Sequence, residues 1–481
     1  MILGGMTALQ LAALVEQELL LFAGVFFLVG ALDELAVDAV FGWLRLTGKV
    51  RNWTIDREEG SRPLSGRAAV FVPAWLEHDV ITDTIASMLQ AWPHDGLRLY
   101  VGCYRNDPRT VEAIMRGSRN DPRVRLVVHD RAGPTTKADC LNRLYAAMEG
   151  DEQRGRFAFR MVVLHDAEDM VDPAALALLD RAVAEAEFVQ LPVLPEPQAR
   201  SRWVGSHYCE EFAEAHGKAM VVRDALSAAL PSAGVGCGFS RAMLGRIAAD
   251  MAHDTGSTGP FSVDSLTEDY ELGLRIKAAG GRSRFLRVRG EDGRLIATRA
   301  CFPAQLNQSV RQKARWVHGI ALQGWDRMGW TGASGGLGET WMRVRDRRGP
   351  LSATVLFAAY LLLGLSAGLW LASIVGYHQP VAFSPATWWL LAANFTSFVW
   401  RAGSRYVFTA REYGPVEGLR SVLRIPLTNV IAIMAGRRAM WAYARTLGGA
   451  PVEWDKTHHH AHPSTMADRI VPPARRARAL S

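Results

Sequence analysis

The stretch FRMVVLHDAEDMVDP, Phe159 to Pro173, decides how this chain is read. An apolar run suited to a buried strand ends in four acids, Asp166, Glu168, Asp169 and Asp172. Uncompensated charge is costly inside a sheet, so the acids mark a strand end and require a positive counter-charge. Comparable runs are AAVFVP (68–73), LRLYVGC (97–103), VRLVVH (124–129) and EFVQLPVL (187–194). Helical patterns lie between them, for example over 80–91 and 138–148. Strands interleaved with helices predict a mainly parallel α/β sheet. Ligands bind such sheets beyond the carboxyl ends of the strands. The chemistry is therefore expected just past Cys103, His129 and His165.

The 481 residues allow at least two structural units. Apolar residues gather towards the ends and charged residues in the middle. The net charge of +7 suits nucleic acid, an anionic membrane surface or phosphorylated substrates. Basic residues follow the membrane boundaries and form no single stripe, which disfavours nucleic acid. Five cysteines without paired spacing argue for a reducing compartment and against a disulfide framework or zinc ribbon.

Residues 351–377 carry no charge and are long enough to cross a bilayer. A second uncharged run ends at Trp400, with Trp388, Trp389 and Trp400 placed as interfacial aromatics. Residues 19–32, with 11–15, form a first span that Glu16, Glu18, Asp33 and Glu34 count against. With three spans, the clusters Arg45/Lys49/Arg51, Arg343/Arg345/Arg347/Arg348 and Arg401/Arg405/Arg411 fall on one side. By the positive-inside rule that side is cytoplasmic and holds the middle of the chain and its C-terminus. The first residues lack a basic n-region and a cleavage site, so an anchor is expected there, not a cleaved signal. Residues 421–445 are apolar but interrupted by Arg424, Pro426, Arg437 and Arg438. They read as an interfacial amphipathic helix or as a packed helix pair. The basic end from Pro472 is expected to be disordered and to face lipid.

Three motifs carry candidate chemistry. Asp166 and Glu168 share a face if extended, a pair that can hold a hard divalent cation whose other ligands are water and diphosphate. The alternative is a solvated acidic loop or a helix start at Asp172-Pro173. In SLTEDYELGLRIKAAGG (265–281), Thr267 is placed to cap a helix ended by Gly280 or Gly281, with Leu272, Ile276 and Ala279 inward. Glu268 and Asp269 then occupy its first turn, where the dipole favours anions. A carboxylate there can accept a hydroxyl proton, or can simply stabilise the helix start. In RQKARWVHGIALQGW (311–325), Gln312, Arg315 and Trp316 share a helical face. Amide, guanidinium and indole suit a sugar and a phosphate, and equally an amphipathic helix on a membrane.

The order VPAW, Asp-x-Glu, Thr-Glu-Asp, Gln-x-x-Arg-Trp, then membrane helices resembles the membrane-embedded family-2 glycosyltransferases, the cellulose, chitin and hyaluronan synthase class. YVGCYRNDP, HDAEDMVDP, LTEDYELG and WDKTHHHAHP resemble most closely its bacterial phage-adsorption-protein (NfrB-like) branch. The likeness covers roughly residues 70–463. It implies a GT-A-type α/β domain with a mainly parallel sheet, flanked by N- and C-terminal transmembrane helices and interfacial helices. The implied layout is an anchor and basic linker over 1–52, the transferase domain over 66–299, and interfacial helices with the Gln-x-x-Arg-Trp motif over 300–350. Two spans over 351–402, interfacial helices and the WDKT segment over 403–463, and a basic tail over 464–481 complete it.

The resemblance also implies roles. Pro73 and Glu77 would border the nucleotide pocket, and Asn106 and Asp107 would lie near base or ribose. Lys137 would lie near the diphosphate. Asp166 and Glu168 would hold Mg²⁺ or Mn²⁺, with Asp166 also serving donor binding. Asp269 would be the general base, with Glu268 beside it. Gly236 and Gly238 would let backbone approach the acceptor, and Gln312, Arg315 and Trp316 would grip acceptor and leaving diphosphate. His458, His459, His460 and His462 would contact phosphate or close the site more readily than bind metal. Two departures stand out: Glu168 replaces the usual second Asp, and CYRND replaces a plain acidic pair.

The implied function is an inverting transferase of the bacterial inner membrane, multi-pass, with a cytoplasmic catalytic domain. It would move a hexosyl or N-acetylhexosaminyl group from a nucleotide sugar, a UDP-sugar first, to a polysaccharide or lipid-linked acceptor, with an outer-membrane export partner. The alternative is a non-catalytic membrane scaffold or receptor component that keeps the fold.

Overall fold

A computed structural model describes residues 7–50, 53–56, 60, 62–330, 336–377 and 382–449. The WDKT segment, its histidines and the basic tail lie outside the described residues. The chain forms two compact units. One includes Asn52–Phe212 and Arg223–Gln308; the other includes Met1–Arg51, Ala213–Val222 and Ser309–Pro451.

The first unit is built on a seven-stranded sheet. Its strands are β1 (Arg67–Pro73), β2 (Leu97–Tyr104), β3 (Val124–His129), β4 (Phe159–Leu164), β5 (Phe188–Gln190), β6 (Cys237–Ser240) and β7 (Ser283–Phe285). Their spatial order is β3-β2-β1-β4-β6-β5-β7. All neighbours are parallel except β6, which runs antiparallel between β4 and β5. The central strands are apolar throughout because helices cover the sheet. Val70, Val72, Leu99, Val101, Met161 and Val163 are among the buried core residues, and Trp92 joins them from the end of helix Ile81–Ala91.

The expected strands all appear, with one division. The run 187–194 breaks after Gln190, and Val193–Pro195 pairs instead with Thr298–Ala300 in a separate two-stranded sheet. Pro192 lies at the break; it has no N–H for a ladder, and its carbonyl accepts from the Thr298 N–H at 3.0 Å. The antiparallel strand β6 was not foreseen.

The second unit is helical. Ala8–Leu46 and Gly349–Ile374 are long and apolar enough to cross a membrane. At 1.5 Å per residue the latter reaches about 39 Å, beyond a ~30 Å hydrocarbon layer. The third expected span does not meet that standard. Its run lies in helix Pro385–Tyr413, where Thr387, Asn394, Thr396 and Ser397 dilute the apolar residues. Asn394 faces a neighbouring helix, its Nδ2 donating to the Gly24 carbonyl at 3.0 Å. The region expected to be interfacial forms helices Pro415–Leu423 and Ile425–Leu447, bent by 54°, which together are apolar enough for a further broken span.

Three of the four acids that argued against the first span, Glu16, Asp33 and Glu34, are paired. Ser366 donates to Glu16. Asp33 receives Trp341 Nε1 at 2.6 Å together with Arg345 and Arg348. Glu34 faces Arg345 at 2.9 Å and Arg401 at 3.0 Å. Asp38 receives Trp400 Nε1 at 2.8 Å and the Lys218 ammonium at 2.5 Å. Lys218 is only 2% exposed and also meets Glu214 at 2.9 Å. It stands in a π-helical turn, Ala215–Ala219, where Gly217 leaves room for Phe408.

Candidate active site

Side chains from the carboxyl ends of β1 to β4 converge with the loop before β6. Lys137 opens helix Lys137–Gly155, whose N-cap Thr136 accepts from the Asp139 N–H at 3.2 Å. A cation in the first turn opposes the helix dipole, so its position there calls for a strong partner. Lys137 Nζ meets Asp166 Oδ1 at 2.6 Å. Burial pulls the ammonium down, but the carboxylates of Asp166, Glu268 and Asp269 outweigh it and raise Lys137 above its ordinary value. The counter-charge within the chain for Asp166 is thus Lys137.

The other three acids of the opening stretch divide. Asp169 accepts from the Asp166 N–H at 3.0 Å and pairs with His165 Nδ1 at 2.8 Å, both side chains being buried. Asp172 accepts from the Ala174 N–H at 3.0 Å at the start of helix Ala175–Ala182, the structural role weighed for it. Glu168 is buried, and its charge helps raise the Cys301 thiol, which burial pushes up to about 12.

Asp269 lies in the first turn of helix Glu268–Ala278 and is partly open, with Glu268 buried beside it. Thr267 occupies the N-cap position, but its hydroxyl makes no cap bond and has no partner among the described residues. The cap expected of that side chain is therefore absent; Asp269 Oδ1 instead accepts from the Tyr270 N–H at 2.7 Å. The loop before β6 presses on Asp269. Gly234 has φ +73°, and a Cβ there would lie 2.3 Å from Asp269 Oδ2. Gly236, at φ +59°, would clash with Thr298 Oγ1 at 2.3 Å. Gly238 lies within β6 itself, paired with Val163 and Val189. Burial also pushes the Cys237 thiol up to about 12, so it stays protonated and is no nucleophile.

Gln190 holds that loop. Its Nε2 donates to the carbonyls of Leu191 at 2.8 Å and Val235 at 2.9 Å, and its Oε1 accepts from the Ala233 N–H at 2.9 Å. Motif reading missed Gln190. Its amide is fully buried in an otherwise apolar strand, where it must find partners.

Around the expected nucleotide pocket, Pro73 ends β1 and pairs with Gly102. Glu77 is buried. Asn106 exchanges two 2.7 Å hydrogen bonds with the backbone of Gly133. Asp107 accepts from the N–H groups of Leu76 at 2.6 Å and Thr110 at 3.3 Å. Both side chains thus tie the turn after β2 to neighbouring loops. Tyr104 stacks on His129 at 5.2 Å, and its hydroxyl meets Thr135 Oγ1 at 2.6 Å. Gln312, Arg315 and Trp316 belong to helix Leu306–Trp316.

Among the described residues no group of three or more His, Cys, Asp or Glu side chains is arranged to hold a metal. A two-carboxylate site is a different case. Asp166 is 35% exposed at its side chain and, like Glu168, offers hard oxygen donors. Such a pair fits Mg²⁺ or Mn²⁺ when phosphate and water complete the shell.

A mainly parallel α/β sheet of this order, with one antiparallel strand, is of the GT-A type. Residues 66–319 match the glycosyltransferase-like family 2, and the chain belongs to that family. It is 34% identical over 472 residues to bacteriophage adsorption protein B of Escherichia coli K12, a match covering 92% of this chain and 62% of that protein. The same values hold for bacteriophage N4 adsorption protein B of Escherichia coli O157:H7. The chain therefore spans less than two thirds of these relatives. Among solved structures, the mannosyltransferase PcManGT from Pyrobaculum calidifontis, in complex with GDP-Man and Mn²⁺, shares the fold. Its TM-score is 0.53 at 17% identity, covering 88% of this chain and 99% of that one.

Proposed function

We propose that the protein is an inverting, membrane-bound glycosyltransferase that passes a hexosyl or N-acetylhexosaminyl group from a nucleotide diphosphate to a saccharide or lipid-linked acceptor. The observation that carries this reading is the grouping of Lys137 with Asp166, Glu268 and Asp269 beside a glycine loop shaped to Asp269. Asp269 takes the acceptor hydroxyl proton as that oxygen attacks the anomeric carbon. One displacement inverts the centre, and the diphosphate leaves without an acid. Lys137 stabilises negative charge on the departing diphosphate. Mg²⁺ or Mn²⁺ would be held by Asp166 and Glu168 and would neutralise the same diphosphate. The Gln312, Arg315 and Trp316 assignment to acceptor and diphosphate rests on the motif.

The localisation is proposed as the bacterial inner membrane, with the α/β unit on the cytoplasmic side. The apolar helices and the basic residues at their ends support it. The donor proposed first is a UDP-sugar; the solved relative is complexed with GDP-Man, so a screen must include both nucleotides. A second reading, a membrane scaffold in an adsorption apparatus that retains the fold, is favoured by the name of the Escherichia coli relatives. The two are separated by metal-dependent release of diphosphate from a panel of nucleotide sugars. Asp269→Asn is expected to abolish transfer while keeping nucleotide affinity. Parental turnover in that variant removes the base assignment, and a parent chain inert towards every donor leaves the scaffold.

A further inference from the structure

Helix Leu306–Trp316 continues as a π-helical turn, Val317–Gln323. Along it, Gln312 Oε1, Arg315 Nε and His318 Nε2 are each buried and have no hydrogen-bond partner among the described residues. Gln312 is 8% exposed and His318 6%. Successive members are three residues apart and so neighbours on the helix surface. Six residues rise about 9 Å. Each orphaned polar atom is destabilising in a folded interior. Three in a row are a cost that apolar side chains would remove, which points to a ligand that supplies the missing partners.

The atoms specify that ligand. Gln312 Oε1 can only accept and Arg315 Nε can only donate. A phosphate oxygen answers the second but not the first. Adjacent hydroxyl groups answer both. Burial lowers the His318 imidazole, with Asp326 opposing, so the ring stays neutral at pH 7 and offers one donor and one acceptor. Tyr443 meets the ring edge-on at 5.9 Å and donates its hydroxyl to Asp326 at 2.7 Å, which holds the surroundings of the imidazole in place.

We propose that His318 is a further saccharide-binding residue, forming with Gln312 and Arg315 a hydroxyl-reading track one sugar unit longer than the Gln-x-x-Arg-Trp motif. The proposal rests on the glycosyltransferase reading above and names the chemistry of its acceptor.

The test uses the full chain in lipid nanodiscs, with mono-, di- and tetrasaccharides of glucose and of N-acetylglucosamine as probes. Binding is read from tryptophan fluorescence, with Trp316 adjacent to the track. The parent is expected to bind a disaccharide more tightly than its monosaccharide by about tenfold. His318→Phe should lose that gain while its ligand-free thermal midpoint holds or rises, because an orphaned polar atom has gone. His318→Gln, which can still donate and accept, should keep the gain. The track is overturned by a length gain that survives in H318F, by a parent that binds no probe, or by a falling thermal midpoint in H318F that marks a structural histidine. Nucleotide-sugar consumption by the parent is scored separately, so loss of the track and loss of the enzyme reading give different results.

Discussion

Gly234 carries no side chain because Asp269 takes that space. A methyl group there would meet the carboxylate at 2.3 Å, and the backbone at φ +73° is itself poorly suited to an L side chain. Gly234→Ala is therefore expected to move Asp269 and lower turnover by about a hundredfold, as a displacement near 1 Å does. Nucleotide affinity should stay near parental, since the donor contacts proposed at Asp166 and Lys137 are untouched. Loss of both properties together in a binding and turnover assay would show the loop to be structural only. At this scale much was legible in the sequence. Asp166 and Asp269 stand out as acids at a strand end and in a helix first turn, whereas Lys137 was named only through the family resemblance. Gln190 was not, because nothing in FVQLPV reveals that its amide will serve three backbone groups. Asn106 and Asp107 were legible as a polar turn, yet the sequence could not tell a ligand contact from the loop ties they make.

Among the elements, helix Glu268–Ala278 is placed by Gly273 as firmly as by its buried Leu272 and Ile276. A Cβ at Gly273 would lie 2.3 Å from the Leu230 carbonyl and 2.9 Å from the Ser232 N–H nitrogen, backbone atoms that cannot turn aside. Gly273→Ala should cost about 1–3 kcal/mol as overpacking. It should also lower turnover, because the helix carries Asp269 and the loop at Ser232 leads to Gly234. Thermal unfolding and turnover measured on one preparation check both; an unchanged thermal midpoint would mean that the helix shifts freely. The parallel strands were legible because burial on both faces leaves unbroken apolar runs. Strand β6 was hidden: Cys237–Ser240 is four residues long, includes Gly238 and is held by its neighbours on either side, not by its own pattern.

The whole molecule is divided differently from the sequence. Apolar runs revealed two helices able to cross a membrane, Ala8–Leu46 and Gly349–Ile374, but suggested another in Pro385–Tyr413, which its polar residues make less apolar. Acids of the first span seemed to argue against it; Asp33, Glu34 and Asp38 are instead neutralised by Arg345, Arg348, Arg401 and Lys218, cations drawn from far along the chain. That pairing is invisible to a hydropathy window. Lys218→Ala should destabilise the detergent-solubilised protein by about 3–5 kcal/mol, because Asp38 and Glu214 would be left as partly buried charges without their ammonium. A melting curve that matches the parent would show these acids to be served by water.

The ten residues Ala213–Val222 break into the middle of the α/β portion of the sequence yet fold with the helical unit. Cutting the gene before Ser309 and after Arg51 would thus not yield a clean α/β fragment. It would yield one trailing a lysine and a π-turn whose natural company had been left behind. Anyone seeking crystals or turnover from this protein should expect the piece to be insoluble and should purify the intact polypeptide with its lipids.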